Sequence, residues 1–158
     1  MDWIETATVV SELLDFSKVE ICIGRKATGE TNRKKLLRIL EDRAWVDDLT
    51  LRESLKPLLV SLCYFYLVEE KYTKKQALNR VANFHLRNGA LLENINWLGN
   101  TSAKGLNESA GIMVNYNYVM DSLTSHSSEY TTNGTVKCSP SLDSKITKLG
   151  FLDIWNSL

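Results

Sequence analysis

Apolar residues recur with the three-to-four-residue spacing of helices through the first half of the chain and with the two-residue spacing of strands further on. Residues 2 to 14 read as a helix: Asp2 and Glu5 have capping-box spacing, and Trp3, Ala7, Val10 and Leu14 share a face. "VEICI" (19 to 23) has the composition of a short strand, and "GRKATGETN" after it reads as a loop. A second helix is predicted over 32 to 44, with Asn32 as its cap and Leu36, Leu37, Leu40 and Ala44 inward. Thr50 and Glu53 repeat the capping-box spacing ahead of an apolar helix reaching about Lys71, with Leu51, Leu55, Leu58, Leu59, Leu62 and Tyr66 as its inward stripe. Pro57 conflicts with that helix, because an interior proline costs ~3 kcal/mol; a kink there, or a start nearer Lys56, is expected.

Beyond Lys74, "QALNRVANFHLRNGA" carries a short helix that Gly89 ends or turns. Two strands follow. "LLENINWLG" alternates around Leu91, Ile95 and Trp97, and "GIMVNYNYV" places Ile112, Val114, Tyr116 and Tyr118 on one face. The segment joining them, about 100 to 110, is too long for a tight hairpin and is a candidate functional loop. Residues 121 to 144 are rich in Ser and Thr and poor in packing residues, so they read as a mobile linker; 145 to 158 read as a short closing helix. The fold class is therefore α+β, with helices preceding a short antiparallel sheet.

Composition narrows the function classes. At 158 residues, 44% hydrophobic and 24% charged, the chain is an ordinary globular one, long enough for one domain and too short for two. Lys plus Arg and Asp plus Glu are 19 each, which leaves no global field for nucleic acid or an anionic membrane, although "NRKK" (32 to 35) is a local patch able to hold a phosphate. Cys22, Cys63 and Cys138 are odd in number and lack metal-ligand spacing, which argues against zinc or a disulfide framework and for a reducing compartment. No run approaches the ~20 apolar residues of a membrane span, and the acidic start lacks the form of a signal peptide. The N-x-S/T triplets beginning at Asn100, Asn107 and Asn133 then read as chance matches. "GRKATGET" (24 to 31) nearly spells a phosphate-binding loop, but Glu30 stands where the lysine must be and would repel the phosphates.

That leaves His85, one of only two histidines. A lone histidine among apolar neighbours is ordinarily a hydrogen-bonded core residue. Here Asn83, Arg87, Asn88, Asn94 and Asn96 put amides and a guanidinium among the apolar positions, and Tyr116 and Tyr118 add hydroxyls to a core strand. Buried polar groups need partners or ligands, so the cluster suits a site that stabilises a developing oxyanion.

"VANFHLRNGA", "INW" and "GIMVNYNY", at their spacing, resemble the C-terminal end of the malonyl-CoA decarboxylase family. The resemblance runs more softly back through "EDRAWVDDLTLRESLKPLLVSLCYFYL", covering residues 41 to 119. It implies a partial catalytic domain over 1 to 120, with a GNAT-like acyltransferase fold. It further implies decarboxylation of malonyl-CoA to acetyl-CoA and carbon dioxide within fatty-acid metabolism, with malonyl-CoA as substrate and no cofactor or metal. His85 stands at the family's catalytic histidine and Tyr118 at its active-site tyrosine; Asn83 is carried as a substrate-binding or His85-orienting candidate. An imidazole titrates near neutrality and suits protonation of an enolate carbon.

The departures from the family set a second expectation. Its catalytic serine segment, upstream of "EDRAWV", has no counterpart among Ser11, Ser17 or Ser54, and Arg80 replaces a usual proline. The chain is thus expected to be a truncated form, weak or inactive by itself, or alternatively a non-catalytic acyl-CoA-binding or subunit-interaction remnant. The resemblance implies an intracellular location, whether mitochondrial, peroxisomal or cytosolic. The terminal "NSL" departs from the peroxisomal "SKL". Self-association into a homo-oligomer is left open.

Overall fold

The computed structural model describes residues 32–148; the predicted helix at 2 to 14, the strand at 19 to 23, the loop at 24 to 31 and the end of the closing helix lie outside them. The described residues divide into two compact units, one of 32–62 with 97–112 and one of 63–96 with 113–148. Together they hold six α-helices and a two-stranded antiparallel sheet, an α+β composition.

In the first unit, α1 (Asn32–Asp42) buries Leu36 and Leu40, one turn apart. The helix stops two residues before its predicted end. Arg43 takes a left-handed φ of 52° and the chain tightens into a 3-10 turn, Ala44–Val46. Ala44 is consequently exposed rather than inward, and Trp45 is buried in its place. The Trp45 indole N–H donates to the Leu40 carbonyl at 3.4 Å, occupying an acceptor in the last turn of α1.

Helix α2 spans Leu49–Val68. Its cap is Asp48, not Thr50: Asp48 Oδ1 accepts from the backbone N–H of Thr50 (2.9 Å) and Leu51 (3.0 Å). The assignment runs unbroken across Pro57. Pro57 and Glu53, whose carbonyl loses its intrahelical donor, are both exposed, so the lost bond falls on the solvent side of the helix. Leu55, Leu59 and Leu62 are buried as predicted, and from Leu59 to Phe65 the burial extends all round the helix.

The expected loop at 100 to 110 is largely a capped helix, α3 (Ala103–Ser109). Ser102 Oγ accepts from the Gly105 N–H, Asn100 Oδ1 accepts from the Ser102 N–H, and the Ser109 hydroxyl contacts the Gly105 and Ile112 carbonyls. The length that suggested a functional loop is taken up by this helix, and its polar side chains are spent on the turns at its ends.

The second unit begins with the end of α2 and a turn in which the Tyr72 N–H donates to the Gln76 carbonyl. Helix α4 (Arg80–Arg87) is capped by Asn79, which accepts from the Ala82 N–H at 3.0 Å, and buries Ala82 and Leu86. It ends at Gly89, φ 84°, as the sequence predicts. Strands β1 (Leu91–Asn96) and β2 (Met113–Asn117) pair with Ile95 opposite Val114 and Leu92 opposite Tyr116.

Between Leu92 and Asn94 the register shifts by a bulge. In a regular strand, residues three apart face opposite sides; the extra residue lets Leu92 and Ile95 both be buried, where alternation had nominated Leu91. Ser139 fastens the bulge. Its hydroxyl donates to the Glu93 carbonyl at 2.7 Å, and its backbone N–H donates to the Leu92 carbonyl at 3.0 Å.

The predicted linker at 121 to 144 is mostly ordered helix: a 3-10 turn Met120–Ser122, then α5 (Leu123–Asn133) and the start of α6 (Pro140–Lys148). Composition misleads here because one residue supplies the anchorage. Tyr130 is buried, and its hydroxyl accepts from the Ala77 N–H (2.7 Å) while donating to Asn83 Oδ1 (2.8 Å). The Ser and Thr hydroxyls bond to carbonyls, Ser125 and Thr131 within this segment and Ser127 to Arg87 of α4. Helix α6 begins at Pro140, well before the predicted 145, and packs Leu142 and Ile146 on β1.

Candidate active site

Two short elements of the second unit build the site. On α4, His85 is half-buried, one position before the buried Leu86. The parity of β2 sends Val114 and Tyr116 to its half-buried face while Met113, Asn115 and Asn117 are exposed, and Tyr118 continues that parity just past the strand.

The two residues singled out from the sequence meet. His85 Nδ1 lies 2.8 Å from the Tyr118 hydroxyl, and the imidazole stacks on the Tyr116 ring with centroids 4.4 Å apart and planes 14° from parallel. Phe84 meets the same imidazole edge-on at 5.3 Å. A hydrogen bond at Nδ1 and a ring against one face fix both the position and the rotation of the imidazole. Nε2 is the nitrogen that Tyr118 does not engage. When the Tyr118 O–H donates to Nδ1, Nε2 carries the proton and can give it up; in the other tautomer Nε2 is an acceptor.

The other polar residues of the sequence cluster go elsewhere. Asn83 bonds to Tyr130 and not to His85, because residues two apart on a helix point to nearly opposite sides. Asn88 donates to the Phe84 carbonyl. Asn94 donates to Asn96, Asn96 donates to Asn115 across the sheet, and Lys145 Nζ donates to Asn94 Oδ1 and to the Ile95 carbonyl. These amides knit the sheet together instead of converging on the imidazole. The stack with Tyr116 is the element that sequence reasoning missed, although strand parity had already put Tyr116 and Tyr118 on one face.

Burial tunes the neighbouring acids. The Tyr116 phenol is pushed far above its usual range by desolvation, with Cys63, Tyr130 and Tyr66 adding to the effect, so it stays neutral beside the imidazole. Burial likewise pushes the Cys63 thiol up to about 12, which makes it a packing group and not a nucleophile. Among the described residues no group of three His, Cys, Asp or Glu side chains gathers to hold a metal, and no helix is long and apolar enough to cross a membrane.

Comparison with known proteins follows the same residues. The family model described as malonyl-CoA decarboxylase C-terminal domain matches residues 4–151, which extends past both ends of the stretch recognised from motifs and takes in the Ser/Thr-rich segment. The mitochondrial malonyl-CoA decarboxylase of Anser anser anser is 41% identical over 112 residues, 71% of this chain and 22% of the relative. That of Rattus norvegicus is 37% identical over 123 residues, 78% of this chain and 25% of the relative. The chain thus spans about a quarter of the length of these curated relatives. Among solved structures, malonyl-CoA decarboxylase from Cupriavidus metallidurans aligns with a TM-score of 0.67 at 27% identity, covering 92% of this chain and 35% of that one. The enzyme from Agrobacterium vitis aligns at 0.66 and 30% identity, covering 83% and 32%.

Proposed function

The chain belongs to the malonyl-CoA decarboxylase family, and on that premise we propose that it carries the histidine and tyrosine that act in decarboxylation of malonyl-CoA to acetyl-CoA. The bond that breaks joins the free carboxylate to the α-carbon. Its electron pair moves into the thioester to give an enolate, carbon dioxide leaves, and the α-carbon then takes a proton. The thioester is itself the electron sink, so the proposal requires no metal or organic cofactor.

His85 donates that proton from Nε2, with Tyr118 holding Nδ1; alternatively the same Nε2–H stabilises the enolate oxygen before proton transfer. A positioned general acid contributes ~10² to 10⁴ in rate, and a donor aimed at the developing oxyanion ~10² to 10³. The observation that carries this reading is the 2.8 Å bond between His85 and Tyr118, the two residues that the family resemblance nominates as catalytic. The GNAT-like topology, a place in fatty-acid metabolism and an intracellular, mitochondrial location belong to the same proposal, the last because the relatives are named mitochondrial enzymes. Asn83 acts through Tyr130 in this proposal, as support for α4 rather than as a substrate ligand.

The 158-residue chain is expected to turn over weakly, since the sequence offers no match to the family's serine segment. The test is release of carbon dioxide from malonyl-CoA by the purified chain beside its His85→Ala variant. Turnover that falls ~10²-fold or more in the variant supports the assignment. Equal turnover in both overturns it, and a folded chain without turnover favours the acyl-CoA-binding reading.

A further inference from the structure

A cavity of about 250 Å³ opens on α4 and α5, lined by Thr73, Lys75, Gln76, Arg87, Tyr130 and Thr131. Its chemistry is one-sided. The lining holds two cations, three hydroxyls and an amide, and no carboxylate. Among the described residues neither cation pairs with a carboxylate: the ion pairs there are Lys56 with Glu53, Lys104 with Glu108, and Lys137 with Glu129. Glu129, on the same helix as Tyr130, is thus engaged by Lys137 at 2.6 Å.

The walls are held firmly. Thr73 Oγ1 accepts from the backbone N–H groups of Lys75 and Gln76, which shapes the turn bearing Lys75. That turn lies so close to Gly134 that a Cβ there would sit 2.8 Å from Lys75 Cα. Tyr130 is locked between Ala77 and Asn83, and the Arg87 carbonyl accepts from the Ser127 hydroxyl at 2.7 Å. Two like charges carried on hydrogen-bonded backbone therefore line one small space.

We propose that this cavity is a phosphate-binding subsite, with Arg87 and Lys75 as the charged ligands and Thr73 and Gln76 as neutral donors. Its charge decides the class, and its volume, at the lower edge of the ~300 to 1,000 Å³ of small-molecule pockets, admits one anionic group. A phosphomonoester carries about −1.5 to −2 charges at neutral pH, which balances two cations where a carboxylate balances one. The planar fork of Arg87 and the point charge of Lys75 are the two side-chain forms that commonly hold phosphate. The inference rests on this lining and not on the assigned reaction; free phosphate and a phosphate borne on a coenzyme share this chemistry, and the probes below separate them.

The experiment is calorimetric titration of the wild-type chain and a Lys75→Gln/Arg87→Gln variant with inorganic phosphate, coenzyme A and dephospho-coenzyme A. Both residues are exposed, so the variant is expected to keep its fold, checked by circular dichroism. At least a tenfold loss of affinity in the variant supports the subsite. Loss with inorganic phosphate alone marks a site for the free anion. Loss with coenzyme A but not the dephospho form marks the 3′-phosphate, and loss with both marks the diphosphate. Equal affinities in the two chains for all three probes, or no binding of any probe to the wild type, overturn it. His85→Ala is expected to abolish turnover and leave these affinities unchanged, so the two assignments fail separately.

Discussion

Tyr116 contributes a ring rather than a hydroxyl to the site, because its phenol is held neutral by burial while its face lies on the imidazole. Tyr116→Phe is expected to keep turnover near the wild-type rate. Tyr116→Leu removes an aromatic pair worth ~0.5 to 1.5 kcal/mol and should lower kcat several-fold with KM little changed. Equal losses in the two variants would show that the stack is not what positions His85. Tyr118→Phe removes the partner of Nδ1, and kcat is expected to drop by ~10-fold with KM little changed. An unchanged kcat would count against a bond between Tyr118 and the working imidazole.

Elements are joined in this chain by a few polar contacts that no periodicity announces. Tyr130→Phe leaves the buried Ala77 N–H without its acceptor and should cost ~1 to 3 kcal/mol in urea unfolding. A change near zero would mean that α5 is held by packing alone. Gly89→Ala meets both a φ of 84° and the Leu123 carbonyl oxygen, 2.2 Å from the added Cβ. It should exceed the ~1 to 3 kcal/mol of left-handed strain alone, because α5 must move to admit the methyl. The sequence showed Gly89 as an ending; the approach of Leu123 belongs to the packing of α5 on α4.

Across the whole molecule, the buried Cys63 thiol and the half-buried Cys138 thiol make stability depend on alkaline pH. Cys63 and Cys138 are both raised from 9.0 to about 12, chiefly by burial, and the Asp143 carboxylate adds to the shift at Cys138. The unfolded chain therefore releases these protons first. Their contribution is fully present below pH 9 and is lost as pH rises towards 12. Urea midpoints measured from pH 8 to 11 should fall beyond pH 9, and fall less in a Cys63→Ala/Cys138→Ala variant when each chain is referenced to its own value at pH 8. Parallel curves would assign the alkaline loss to other groups.

The sequence by itself determined the main helices and both strands, the turn at Gly89, and the two residues, His85 and Tyr118, that meet across elements. The elements and the turn rest on local chemistry, apolar spacing and glycine's freedom at positive φ, and the two residues on motifs that resemble the family's. Tertiary structure alone decided the bulge that buries Leu92 with Ile95, the ordering of the Ser/Thr-rich segment, and the partner of Asn83. Those outcomes depend on which distant atom satisfies a given polar group. Ser139 reaches the bulge from 46 residues away and Tyr130 reaches Asn83 from 47, and periodicity along a chain carries no record of such pairings.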